Sequence, residues 1–136
     1  MDIKKAIYAQ LSGDATLAAL VGTRIYADYN GERSVFPYIT FYGVSGSAEE
    51  TMGGATDLMH AVLQLDVWAL KSTDVSTIMK SIRRLLDNKY GTWGGVVVDL
   101  VILNNFLYTY QFPSDGSEGC IYKGSVEVAS SFRETD

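Results

Sequence analysis

The chain has 136 residues, with only one cysteine and one histidine. Cys120 has no cysteine with which to form an internal disulfide bond, as is common in a reducing compartment. With His60 as the single histidine, no group of histidines and cysteines has the spacing of a zinc site. We therefore expect neither a bound metal nor another cofactor.

Nucleophile motifs are also lacking. A serine triad would have to be built around His60, and no nucleophile motif surrounds any serine. Asp66 and Asp99 lie among apolar residues of predicted strands, where outward-facing side chains explain them better than a carboxylate pair of an active site. An enzyme is therefore the weakest of the functions considered, and we expect no catalytic residues.

Long hydrophobic runs are absent as well. No segment approaches the about 18 apolar residues of a membrane-spanning helix, and the start MDIKKAIYAQL mixes charge into its apolar positions, unlike a signal peptide. Hydrophobic residues make up 47% and charged residues 20%, as in folded soluble proteins. We expect one domain over residues 1–136, in the cytoplasm and without membrane contact.

Positive charge is scarce except in one segment. The net charge is −5, which disfavours a broad nucleic-acid surface. Between positions 71 and 89, however, the sequence has five basic residues and only two acidic ones. The five are Lys71, Lys80, Arg83, Arg84 and Lys89. They form either a solvated helix end that complements the helix dipole, or one half of a charged contact with a partner or an identical subunit.

Hydrophobic periodicity predicts the order α-β-β-α-β-β, an α+β fold with an antiparallel sheet and helices on one face. Asp14 and Gly22 suit the two ends of a short helix, and Ser72 or Thr73 suits the start of a longer one. A bulge is expected at Asn104-Asn105. Segments 23–34, 43–57 and 92–95 are expected to be irregular, with 43–57 a loop or a mobile hairpin tip. The predicted core contains Ile7, Leu11, Leu63, Leu65, Val67, Ile78, Ile82, Leu85 and Val128.

Four segments carry a resemblance to a known family. They are DATLAALVGTRIY at 14–26, VFPYITF at 35–41, LQLDVWALKSTDVSTIMKSIRRLLD at 63–87, and the PSDG turn followed by YKGSVEV. In order and spacing they resemble the tail-completion or tail-terminator family of bacteriophages with long, non-contractile tails, and of prophages and gene transfer agents.

The resemblance implies a structural virion protein of the tail, assembled in the host cytoplasm. The resemblance also implies a ring, typically of six copies, that caps the head-proximal end of the tail tube and joins the tail to the head. The implied partners are other copies of the chain, the tail tube protein and a head–tail connector protein. DNA would pass through the ring without specific binding, since six copies carry 6 × −5 = −30. A head–tail stopper or adaptor, or a tube subunit, is the alternative.

A cyclic ring needs two different complementary patches on each subunit. We expect the basic residues Lys80, Arg83 and Arg84 to meet acidic residues of a neighbouring copy. The acids favoured by their predicted position on loop tips are Glu49, Glu50, Asp115 and Glu118.

Overall fold

A computed structural model describes residues 2–28, 35–51, 54–111 and 120–133. The helices are α1 (Asp2–Ser12), α2 (Ala15–Val21) and α3 (Ser72–Leu86). The strands are β1 (Ile25–Ala27), β2 (Tyr38–Thr51), β3 (Gly54–Ala69), β4 (Lys89–Trp93), β5 (Val96–Gln111) and β6 (Ile121–Arg133). The α+β composition is confirmed.

The sheet has six strands in the order β1-β2-β3-β6-β5-β4. The expectation of a purely antiparallel sheet was wrong, because β1 runs parallel to β2, with Ile25 opposite Ile39. The predicted element order also missed β1 and β4. A three-residue strand is too short to show an alternating pattern, and the glycine at position 91 obscures the pattern of β4.

The segment 43–57 was expected to be a loop or a mobile hairpin tip, and of these the irregular loop was wrong. β2 continues to Thr51 and β3 begins at Gly54, so the described residues of this segment belong to a long hairpin. Serine and glycine suit a loop when judged by side-chain burial alone. Here the ladder of backbone hydrogen bonds between two long antiparallel strands maintains the extended conformation instead.

Helix ends were predicted with mixed success. Asp14 and Gly22 flank α2 as expected, with the Leu17 N–H donating to the Asp14 carboxylate. In contrast, α3 begins at Ser72 after Lys71, with no side-chain cap. Ser72 and Thr73 therefore lie within the first turn, where Asp74 complements the helix dipole.

The hydrophobic core lies between the helices and one face of the sheet, here called the helix face. Alternate residues of β3 point to it and pack with buried residues of all three helices. The predicted core is confirmed, except that Leu85 is only partly buried. The bulge near Asn105 is also confirmed, as a register shift between Asn104 and Leu107.

Helix α3 approaches β6 closely at Gly124. A Cβ atom at this position would lie 2.8 Å from Val75 Cγ1 and 3.2 Å from Met79 Cγ. Glycine therefore lets the helix rest directly on the middle of the sheet.

Gly124→Ala is expected to lower the free energy of unfolding by about 1–3 kcal/mol, because the added methyl group overlaps α3. Adding Val75→Ala removes the nearest atom, so the double variant should lose less than the sum of the two single losses. Urea unfolding measures all three variants. Strictly additive losses would show that the helix does not approach β6 this closely.

Candidate interaction surfaces

Three exposed residues at the C-terminal half of α3 form what we call the basic cluster: Lys80, Arg83 and Arg84. Arg84 Nη2 donates to Asp14 Oδ2 at 2.9 Å, joining α3 to the start of α2. One member of the cluster therefore already has a structural partner within its own subunit.

Asp14 is held in its charged form by this arrangement. Its carboxylate accepts the Leu17 backbone N–H, and this bond, followed by the Arg84 side chain, lowers the pKa of Asp14 below its ordinary value of 3.8. The Asp14 carboxylate thus stabilises the first turn of α2 and the contact between two helices.

Arg83 lies beside β5. Its Nε atom is 3.7 Å from Asp87 Oδ2, and its guanidinium lies 5.8 Å from the centre of the Phe106 ring. Asp87 in turn accepts the backbone N–H of Leu103 at 3.0 Å. Lys80 makes no ion pair within the described residues. The exposed positive charge of the cluster therefore lies next to the β5 side of the sheet.

The structure describes two of the four predicted acidic partners. Glu49 and Glu50 belong to β2 near its hairpin end and not to a loop tip, and only their backbone is described. Asp115 and Glu118 lie outside the described residues. The strands β3 and β6 separate β2 from β5, so Glu49 and Glu50 lie across the sheet from Arg83.

Asp66 was expected to face outward, and this was wrong in part. It lies on the sheet face away from the helices, here called the open face, but is only 4% exposed. Ser125 Oγ donates to Asp66 Oδ1 at 2.8 Å, and Lys123 Nζ lies 3.8 Å from Oδ2 and 4.8 Å from the centre of the Trp68 ring. Cross-strand neighbours, which the local sequence pattern does not reveal, cover this carboxylate.

Asp66, Asp99 and His60, the residues considered for a catalytic role, have separate partners. Asp99 pairs with Arg133 at 3.4 Å instead of with Asp66. His60 Nδ1 lies 2.8 Å from Ser131 Oγ, on the open face. Among the described residues, no group of three or more His, Cys, Asp and Glu side chains is placed to hold a metal ion.

The second half of β5 presents exposed apolar and aromatic side chains that the sequence reading assigned only to an alternating strand. Their exposed fractions reach 66%; the residues are Phe106, Leu107, Tyr108 and Tyr110. The available signal was the stretch NNFLYTYQ, which is uncharged and rich in aromatic residues. Such a stretch on a single domain indicates a contact surface.

Comparison with known families is decisive at this point. Residues 5–111 match the model of the family described as "Tail completion protein gp17". The chain belongs to the tail completion protein family. The resemblance seen in the sequence is therefore confirmed, and with it the assignment to structural proteins of the tail.

The fold is found in a solved particle. A chain of a structure titled "Virion of native gene transfer agent (GTA) particle" superposes with a TM-score of 0.75 at 15% sequence identity. The match covers 95% of this chain and 92% of that chain. At this identity the likeness establishes a shared fold. A comparison with curated protein sequences finds no match.

Membrane insertion through a helix finds no support in the described residues. None of the described helices combines the length and apolar character needed to cross a bilayer.

Asp14→Ala is expected to lower the free energy of unfolding by about 1 kcal/mol at neutral pH, because it removes the N-cap of α2. Since the folded-state pKa of Asp14 is depressed, its charge stabilises the fold above the unfolded pKa. That stabilisation should be lost as the pH falls through the lower, folded-state pKa. Urea unfolding at neutral pH and near pH 3 would measure the difference.

Asp14→Asn provides the matched control, because asparagine also caps helices but carries no charge. It should retain most of the capping stabilisation and lose the pH dependence. A loss for Asp14→Ala that is the same at both pH values would contradict the role of the carboxylate.

Proposed function

We propose that this protein is a tail terminator. Copies of the chain, typically six, assemble into a ring that caps the head-proximal end of the tail tube and joins the tail to the head. The observation that carries the proposal is the family match over residues 5–111, supported by the shared fold with a chain of a gene transfer agent virion. The proposal takes residues 1–136 as one tail-terminator-like domain.

The arrangement of charge supports a ring of head-to-tail contacts. Such contacts join two different patches of the subunit. The basic cluster lies by β5 and the acids Glu49 and Glu50 lie on β2, three strand spacings or about 14 Å away across the sheet. The strands that carry the two groups are thus not neighbours within one subunit.

The proposed partners are other copies of the chain, the tail tube protein and a head–tail connector protein. DNA passes through the ring and is not bound specifically, since a net charge of −5 per subunit repels phosphate groups. No catalytic step and no cofactor is required for this role. The proposed location is the virion tail, after assembly in the host cytoplasm.

Addition of the protein to polymerising tail tube protein tests the function. We expect tubes that stop growing and carry one ring at a single end in negative-stain electron microscopy. Growth of long tubes from the protein itself would indicate a tube subunit. Binding to filled heads without binding to tubes would indicate a stopper or adaptor.

The exposed part of the basic cluster should influence assembly. Lys80→Glu with Arg83→Glu is expected to impair ring formation, because it places acids against the acids of the neighbour. Each exposed pair contributes only about 0–1 kcal/mol, and added salt should weaken assembly of the unmodified chain. Sedimentation or native mass measurement would report the ring.

Two design choices make this test specific. Arg84 remains unchanged, because its reversal would also disrupt the contact with Asp14 within the subunit. Lys5→Glu with Lys71→Glu is the matched control, since both lysines are exposed and lie outside the cluster. Equal effects of the two double variants on ring formation would show that the cluster acts only through the net charge of the subunit.

A further inference from the structure

The strand β5 has an open edge over its second half. β4 pairs with β5 only between Val96 and Val101, and the Asp87 side chain occupies the next N–H, that of Leu103. Among the described residues, the segment from Asn104 to Gln111 pairs with β6 alone. Within the described part of the chain, no strand is paired with the other side of this segment.

The bulge between Asn104 and Leu107 interrupts only the first part of this edge, and the residues from Leu107 to Gln111 continue as a regular strand. Exposed edges of natural sheets are commonly guarded by charged residues or proline. The segment NNFLYTYQ contains neither, and Leu107, Tyr108 and Tyr110 are 58%, 56% and 66% exposed. A long uncharged aromatic edge of this kind favours addition of another strand.

A second open edge lies on the opposite side of the sheet. β1 pairs with β2 only from Ile39 to Phe41, and the Asp28 N–H donates to the Phe41 carbonyl. Among the described residues, the segment from Tyr42 to Thr51 pairs with β3 alone. The part 43–47 is exposed and rich in glycine and serine, which leaves room for large side chains of an added strand.

We propose that β5 of one copy, over residues 104–111, pairs antiparallel with β2 of the next copy, over residues 42–51. That the partner is another copy of the chain rests on the proposed ring, and the two strands would be the contact surface between neighbouring copies. Each open segment follows a covered one along its strand: β4 covers the start of β5, and β1 covers the start of β2.

This order of covered and open segments selects the antiparallel direction. In an antiparallel pair, the start of β5 in one copy lies beyond the end of β2 in the next copy, and the start of that β2 lies beyond the end of β5. Because β4 and β1 cover these two starts, they are kept apart. Parallel pairing would bring β1 of one copy and β4 of the other into the same space. Antiparallel addition also continues the alternation of strand directions from β2 through β5.

The faces of the sheet restrict the register. Leu107 is paired with Ser125 and Ser47 with His60, so both side chains lie on the open face. Residues directly opposite each other in a strand pair must lie on the same face of the sheet. Leu107 opposite Ser47 satisfies this condition, and this register pairs most of both open segments. Beyond Ser47 and Leu107 both strands have a bulge, so the same register brings the backbone of Glu49 and Glu50 near Asn104 and Asn105 without fixing the individual pairs.

This register brings the predicted charges together. Phe106 follows Asn105, and the Arg83 guanidinium lies 5.8 Å from the Phe106 ring centre. The backbone at Glu49 and Glu50 of one copy thus comes close to the part of β5 beside which the basic cluster of the next copy lies. Pairing of β5 with another β5 would leave the β2 edges open, whereas the β5–β2 contact covers both edges of each copy and repeats around a ring.

Cysteine crosslinking tests the contact in the full chain with Cys120→Ser. Leu107→Cys combined with Ser47→Cys, treated with a short bismaleimide, should give covalent multimers up to a closed ring on a denaturing gel. The control combines Leu107→Cys with Thr92→Cys, an exposed position on β4, and should give no ladder. Within one subunit, three strand spacings separate the β5 and β2 positions.

Charged substitutions provide a second measurement without crosslinking. Leu107→Lys with Tyr110→Lys should weaken self-association at least about tenfold while the thermal unfolding temperature stays close to that of the unmodified chain. Val97→Lys is the control, because Val97 is 42% exposed on the same strand where β4 covers the edge. It should leave self-association unchanged.

The outcomes separate this contact from the proposed function. A ring without the Leu107–Ser47 crosslink, or a chain that stays monomeric, overturns the contact, while capping of tubes remains a separate measurement. Crosslinked chains that extend as open filaments support the contact and overturn the closed terminator ring. Equal loss of self-association with Val97→Lys also overturns the contact.

Discussion

The close packing of α3 on β3 and β6 organises the rest of the molecule. Gly124 provides the space for Val75 and Met79, and this contact fixes the height and direction of the helix over the sheet. The C-terminal end of α3 therefore lies at the β5 side, where Arg83 meets Phe106. The position of the basic cluster relative to the open edge of β5 is a consequence of this packing, because a helix held further away would not place its last turn against the strand.

The sequence predicts the parts of this fold that depend on periodic burial. The helix stripe containing Ile78 and Ile82 and the alternating face of β3 are correct, since each side chain there is selected by contact with one core. Prediction failed where backbone pairing decides the structure. Residues 43–47 of β2 are exposed, and β1 has three residues, so neither leaves a periodic signal although both are held by neighbouring strands.

In the candidate surfaces, too, some features could be predicted from the sequence and others depend on contacts between residues distant in the chain. The position of Arg83 and Arg84 in the last turn of α3 could be read from the sequence. The contact of Arg84 with Asp14 could not, because 70 residues separate the two in the chain. Asp66 was misjudged for a similar reason, since the residues that cover it belong to a strand distant in sequence. An open edge is a property of strand lengths in three dimensions and has no single residue as its marker.

In a β5–β2 contact, the free-energy contributions of ion pairs and of backbone hydrogen bonds would differ in size. Exposed ion pairs contribute about 0–1 kcal/mol each and are screened by salt. An antiparallel segment of the length of 104–111 forms several backbone hydrogen bonds, at about 0.5–1.5 kcal/mol net each, and removes exposed Leu107, Tyr108 and Tyr110 from water. In the proposed contact, the edge would therefore supply most of the affinity, and the basic cluster and the β2 acids would act on the choice of partner and register. A shift of one residue would turn every side chain of the added strand to the wrong face, and a shift of two would move the acids away from Arg83.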